Sequence, residues 1–328
     1  MRRNPPPPGE TSEPRTAGYA GKPAGAGSLA DPPYRFGIAV PAAIYLNVAI
    51  SGLLTGLVYG LMALGLSVIF GVVRVVNFAH GEMMAIAMYL AVVLFDTLGL
   101  DPLVLVVPLA GVLFVLGYAL QAGIINPFIN RPEHSQFILL VAIAIIITNV
   151  LLIVFGPDAR SVQTGYSFDS FAVGPLIVDA TKVYAAAGTV VIAAALFAFF
   201  RHASLGKAIR ACADNYTGAL VAGLDVKRLY ALTFGLGAAC VGAAGSMLVL
   251  LIDVTPALGP AYTLLAFIIV ITGGLGSMPG ALVGGVLIGL AEALAGLFFT
   301  PSAKSMFSFG LLVLILLLRP QGLLARRA

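Results

Sequence analysis

Four side chains able to do chemistry crowd into one short stretch, Gly71-Val-Val-Arg-Val-Val-Asn-Phe-Ala-His-Gly-Glu82: they are Arg74, Asn77, His80 and Glu82. The flanking runs Ser51–Phe70 and Met83–Phe95 carry no charge at all. Ionisable groups in such surroundings are costly, and they sit at a membrane surface, in a water-filled cavity or against a partner. His80 and Glu82 are two residues apart and diverge on a helix, so they form no metal or acid–base pair. A second interruption, Thr272-Gly-Gly-Leu-Gly-Ser-Met-Pro-Gly280, breaks the later apolar region. One interrupted apolar segment in each half of a chain is the pattern of a transporter with broken helices beside its pathway.

Other chemistry is missing. Gly21-Lys22 and Gly206-Lys207 are followed by Pro and Ala, where a nucleotide-binding P-loop needs Ser or Thr. No HExxH, GxSxG or DxD pattern occurs, and no cofactor or metal is expected. Cys212 falls in a polar loop and Cys240 in an apolar run; both read as small buried residues rather than a disulfide pair. His134 and His202 fall in loops and read as solvated. Glu292 stands alone inside a late apolar run. It is either a proton or ion site, or a carboxyl hydrogen-bonded at a helix interface.

The elements that hold these residues follow from composition. Of 328 residues, 60% are hydrophobic and 10% charged, against roughly 25% charged in a soluble domain. Mean hydropathy is +1.03. The expectation is an all-α integral membrane protein, a polytopic bundle of eight or nine crossings with broken helices in each half. Helices are favoured over a barrel because the apolar runs are long and continuous. The net charge of +4 shows no basic stripe interleaved with aromatics, so nucleic acid is excluded as a partner.

In chain order, residues 1–38 read as a disordered proline-rich tail, with Pro5–Pro8 at its start, and 39–328 as the membrane domain. Helices are predicted at about 42–70, 82–99, 103–125, 136–155, 182–200, 229–251, 260–272, 281–299 and 305–318. Two of these, 260–272 and 305–318, fall below the roughly 17 residues that span a bilayer. Ser167–Val173 alternates in a way that suits a short strand or a surface-lying segment. Arg201, Lys207, Arg210, Lys227 and Arg228, with Arg319, Arg326 and Arg327 at the C-terminus, place loop 201–228 and the C-terminus in the cytoplasm. Asp158, Asp169 and Asp179 place Gly156–Thr181 outside. Nine crossings would start the chain outside, whereas Arg2, Arg3, Arg15, Lys22 and Arg35 argue for inside. Within loop 201–228, Leu205, Ala208, Ile209 and Cys212 recur at helical spacing, Asp214 or Asn215 could cap a second short helix, and Gly223 could end it.

These motifs resemble the branched-chain amino-acid ABC transporter permeases of the LivH type. Gly52-Leu-Leu-Thr-Gly-Leu-Val-Tyr-Gly60, the Asn77–Glu82 run, Gly206–Asn215 with Ala222-Gly-Leu224, Ile271–Gly285 and Arg319-Pro-Gln-Gly-Leu323 carry the resemblance, which spans roughly 42–325. The resemblance implies a permease with no catalytic residues of its own. Its implied partners are a second related permease, two cytoplasmic ATPase subunits and an extracytoplasmic solute-binding protein, all serving alternating access in the inner membrane. It implies a substrate pathway near Asn77, His80, Gly81, Glu82, Gly273, Gly274, Gly276 and Ser277. It also implies an ATPase coupling element containing Leu205, Gly206, Ala213, Asp214, Ala219 and Gly223. Thr217-Gly218-Ala219 departs from the Glu-Ala-Ala often found in that element, and the proline-rich tail is unusual. Urea or short amides as solutes, and a stand-alone transporter using Glu82 or Glu292, are the rival readings.

Overall fold

The computed structural model describes residues 42–129, 131–174, 176–299 and 304–324. The proline-rich tail, Arg326 and Arg327 lie outside these. The described chain is helical throughout, apart from one small hairpin. The helices are α1 (Ala42–Val73), α2 (His80–Leu98), α3 (Pro102–Leu120), α4 (Glu133–Phe155), α5 (Ala180–His202), α6 (Ser204–Asp214), α7 (Tyr216–Val221), α8 (Val226–Leu248), α9 (Leu258–Gly273), α10 (Met278–Phe298) and α11 (Lys304–Leu318). Strands β1 (Ser170–Val173) and β2 (Leu176–Asp179) pair antiparallel, so the alternating stretch is a strand.

Seven of these helices are long and apolar enough to cross a membrane, while α9 and α11 are shorter apolar helices. All nine predicted helices are present. The described residues thus supply seven full-length spans and two short apolar helices, α9 of 16 residues and α11 of 15, in place of a firm count of eight or nine crossings.

The core is built on α1 and α8. Gly52, Gly56 and Gly60 recur every four residues along α1 and meet Gly285 and Gly289 of α10 backbone to backbone; a Cβ at Gly56 would fall 2.7 Å from the Gly285 carbonyl oxygen. Among lipids the hydrophobic effect does little to join helices, and such small-residue ridges allow the close contact that holds them. On α8, Gly237 packs on Gly65 and Ile69 of α1, Gly242 packs on Leu109 and Leu113 of α3, and Gly245 packs on Met84 and Ala87 of α2. The glycine-rich sequence of α8 therefore serves three interfaces at once. By contrast, α4 presents Ile138, Ile145, Ile146, Ile153 and Val154 outward, an apolar face suited to lipid.

Side-chain bonds tie the two ends differently. At one end Asn47 accepts from Ile177 N–H, Tyr166 donates to Asp101, and Arg160 pairs its backbone with Val254. Burial and the bond to Asp101 push the Tyr166 phenol well up, which keeps it protonated as a donor. At the other end lie α6, α7, the α9–α10 turn and residues 319–324, whose Leu323 and Leu324 N–H groups donate to the Thr272 and Gly273 carbonyls at the end of α9. Pro320 stops α11, and Gly322 turns the chain at φ 86° to make that cap.

Candidate functional site

The first interruption leaves Arg74–Ala79 without helix between α1 and α2. Arg74 takes a left-handed φ of 57°, uncommon for a residue with a Cβ, and turns the chain back along α1. His80 then reaches the Met62 carbonyl at 2.9 Å through Nε2. Met62 lies about 16 Å back from the end of α1, at 1.5 Å of rise per residue. So α2 starts deep inside the bundle, and its first turn is fully buried.

That first turn is held by α9. Gly81 N–H donates to Thr263 Oγ1 at 2.8 Å, and the Thr263 hydroxyl donates to Glu82 Oε2 at 3.0 Å. Asn77 Oδ1 accepts from Ala79 N–H at 3.1 Å, and closes the turn that leads into α2. Gly81 and Gly259 make this possible, because a Cβ on Gly81 would run into the Gly259 carbonyl oxygen and the Thr263 backbone nitrogen. A carboxylate in the first turn of a helix is favoured by the helix dipole, which partly offsets the cost of its depth.

Glu82 borders a cavity of about 430 Å³ between α2, α4 and α9, otherwise lined mainly by apolar side chains, with Thr148, Asn149 and Thr263 as its remaining polar groups. A second cavity of about 790 Å³ opens beside Arg74, His134 and Gln136 at the end where α6 and α7 lie. Phe78 lines both. Its ring packs edge-on against Phe137 of the second cavity, with centroids 4.6 Å apart, and tilted against Phe267 of the first at 5.1 Å. The three rings stand between the two spaces.

The second predicted stretch lies elsewhere. Gly273 packs on Gly280, Gly276 packs on Gly71, and Ser277 caps α10 by accepting from Gly280 N–H. Of these, Gly276 borders the 790 Å³ cavity; Gly273, Gly274 and Ser277 do not. The two interruptions therefore meet at Gly71 and Gly276, while Asn77, His80, Gly81 and Glu82 form a separate, deeper cluster. Sequence reasoning missed Thr263, Phe137, Phe267 and Asn149. Thr148-Asn149, a polar pair in the middle of an apolar run, was the available signal.

In loop 201–228 both short helices exist. Asn215 caps α7 by accepting from Gly218 N–H, and Gly223 ends the segment at φ 78°. Gly206, Ile209, Cys212 and Ala219 face inward, and Gly206 sits on the backbone of Phe199 and Phe200. Outward lie Leu205, Tyr216, Leu220 and Val221, the last 86% exposed. Asp214 and Ala213 close α6. Among the described residues no group of three metal-ligating side chains occurs.

The family described as branched-chain amino acid transport system / permease component matches residues 48–316. The high-affinity branched-chain amino acid transport system permease protein BraD of Pseudomonas aeruginosa is 30% identical over 295 residues, covering 86% of this chain and 96% of that protein. LivH of Escherichia coli K12, described in the same words, is 30% identical over 301 residues with the same coverage. A probable branched-chain amino acid transport permease LivH of Methanocaldococcus jannaschii is 29% identical over 268 residues, 77% of this chain and 80% of that protein. No solved structure matches the chain at the same level of significance.

Proposed function

The chain belongs to the branched-chain amino acid transport permease family, and on that premise we propose that it is a transmembrane subunit of an ABC importer for branched-chain amino acids in the inner membrane. ATP is hydrolysed by two separate cytoplasmic subunits, a second permease completes the pathway, and an extracytoplasmic binding protein delivers the solute. The observation that carries the pathway is the pair of cavities parted by Phe78, with Glu82 in the deeper one and Arg74 at the mouth of the other. A zwitterion moving through them would meet a carboxylate for its ammonium group and then a guanidinium for its carboxylate, beside apolar walls for its side chain. The packed rings of Phe78, Phe137 and Phe267 would close the path between turnovers.

The ATPase stroke would arrive at α6 and α7. Buried Gly206 and Ala219 fasten these helices to the bundle, while Leu205, Tyr216, Leu220 and Val221 offer an exposed apolar patch outside the membrane-spanning segments. α6 also packs on α1, whose end leads straight into Arg74 and Phe78.

The test is leucine uptake into liposomes holding the chain with its second permease, ATPases and binding protein. Wild type should take up leucine only with ATP. Glu82→Gln should slow that uptake at least tenfold, about 1.4 kcal/mol on the barrier, and Phe78→Ala should let leucine leak without ATP. Uptake by the chain alone, without partners or ATP, would refute the importer reading.

A further inference from the structure

Most polar side chains within the bundle have partners. Glu292 of α10, for one, accepts from Ser308 of α11 at 2.8 Å, at a helix interface. Two groups at the end where α6 and α7 lie differ. Ser67 Oγ and Arg210 Nε are both buried, and neither has a hydrogen-bond partner among the described residues. Both residues line one cavity of about 550 Å³, enclosed by α1, α5, α6, the start of α10 and Leu324. Gly71 and Gly276 border this cavity and the 790 Å³ one alike, and their contact stands between the two. The space is thus separate from the path proposed above.

A buried donor without an acceptor is costly, more so when it belongs to a cation. Ser277 begins α10 at the same cavity, so the positive end of a 21-residue helix adds to the guanidinium there. Among the described residues no carboxylate lines the cavity. Asp214, one turn beyond Arg210 on α6, lies outside it and has interactions of its own. A guanidinium, a hydroxyl and a helix N-terminus gathered without an acceptor suit an anion, and phosphate oxygens match all three. The remaining wall says which phosphate. Val68, Val72, Phe197 and Phe200 carry an apolar surface along α1 and α5, two helices long enough to cross a membrane. Such a surface gives a free ion nothing, whereas an acyl chain is stabilised on it.

We propose that this cavity binds an anionic phospholipid, its phosphate held by Arg210, the Ser67 hydroxyl and the first turn of α10, with an acyl chain along Val68, Val72 and Phe197. The lipid would tie α6 to α1 and α10, adding a charged fastening to the packing of Gly206 on Phe199 and Phe200. The site does not depend on the importer reading.

The test is native mass spectrometry of the purified, delipidated full chain titrated with phosphatidylglycerol, phosphatidylcholine or inorganic phosphate, with thermal unfolding followed in the same detergent. The first phosphatidylglycerol should bind at least tenfold more tightly than the first phosphatidylcholine, as a charge-assisted contact allows, and should raise the unfolding midpoint. Arg210→Gln should remove that preference, and Ser67→Ala should weaken phosphatidylglycerol about threefold, the loss of one hydrogen bond. Arg201→Gln, which removes an exposed cation outside the cavity, should keep the preference. Should Arg210→Gln fail to fold, Ser67→Ala decides: the threefold loss supports the site and unchanged binding refutes it. Equal binding of the two lipids by wild type, or a preference that survives Arg210→Gln, would overturn the proposal. So would a preference lost equally in Arg201→Gln, which would mark general surface charge. Inorganic phosphate that displaces phosphatidylglycerol and reproduces the full midpoint shift would make this a free-anion site and overturn the lipid assignment.

Discussion

At the scale of single residues, the tightest constraint is Gly81. Its N–H serves Thr263, and its missing side chain lets α2 and α9 touch through their backbones at Gly259. Neither neighbour is the loose end of a side chain, so nothing can swing aside. Gly81→Ala should therefore separate the two helices, disturb the Thr263–Glu82 hydrogen bond, and cost about 2 kcal/mol or more, in the range for overpacked cores. Thermal unfolding in detergent checks this, and an unchanged midpoint would mean that α9 moves away freely. Glu82→Gln keeps the shape and a hydrogen-bonding group, so its effect should fall on transport and spare stability. The sequence made Glu82 and His80 visible because charges stand out in an apolar run. It hid Thr263, more than 180 positions away, and Phe137 and Phe267, because an aromatic ring in an apolar helix looks the same whether it faces lipid or a path.

At the scale of elements, local pattern reached far. The nine apolar helices, the amphipathic α6, the asparagine cap of α7 and the glycine that ends it all follow from short-range rules, and the structure has each of them. What local pattern could not give is depth. The start of α2 opposite Met62 depends on the backward turn at Arg74, a left-handed residue that no propensity rule anticipates. Nor could it tell which side of α6 and α7 faces out: Gly206 and Ala219, singled out for coupling, are buried, while Tyr216, Leu220 and Val221 form the exposed surface. If that surface receives the ATPases, Leu220→Asp with Val221→Asp should leave the isolated chain as stable as wild type. It should also reduce copurification of the ATPase subunits at least tenfold, which a pull-down from membranes reads directly. Full recovery of those subunits would show that coupling runs through other residues.

At the scale of the whole molecule, the two ends differ in charge as well as in structure. Arg74, Arg131, Arg201, Lys207, Arg210, Lys227, Arg228 and Arg319 gather where α6, α7 and the α9–α10 turn lie, whereas Asp101, Asp158, Asp169, Asp179 and Asp253 gather around the hairpin. An excess of Lys and Arg in short loops marks the cytoplasmic side, so the hairpin should face outward. Asn47 bonds to that hairpin through Ile177, so the start of α1 should lie on the same side as the hairpin. Labelling of intact cells with a membrane-impermeant maleimide decides the orientation. Cys212 and Cys240 are both buried, and burial also pushes the Cys212 thiol up and so lowers its reactivity, which keeps the background small. Phe168→Cys, at a position 86% exposed beside the hairpin, should react in intact cells. Val221→Cys, equally exposed on α7, should react only after the membrane is opened and the ATPase subunits are stripped away. The reverse pattern would turn the molecule over. It would put α6 and α7 beyond reach of any cytoplasmic ATPase.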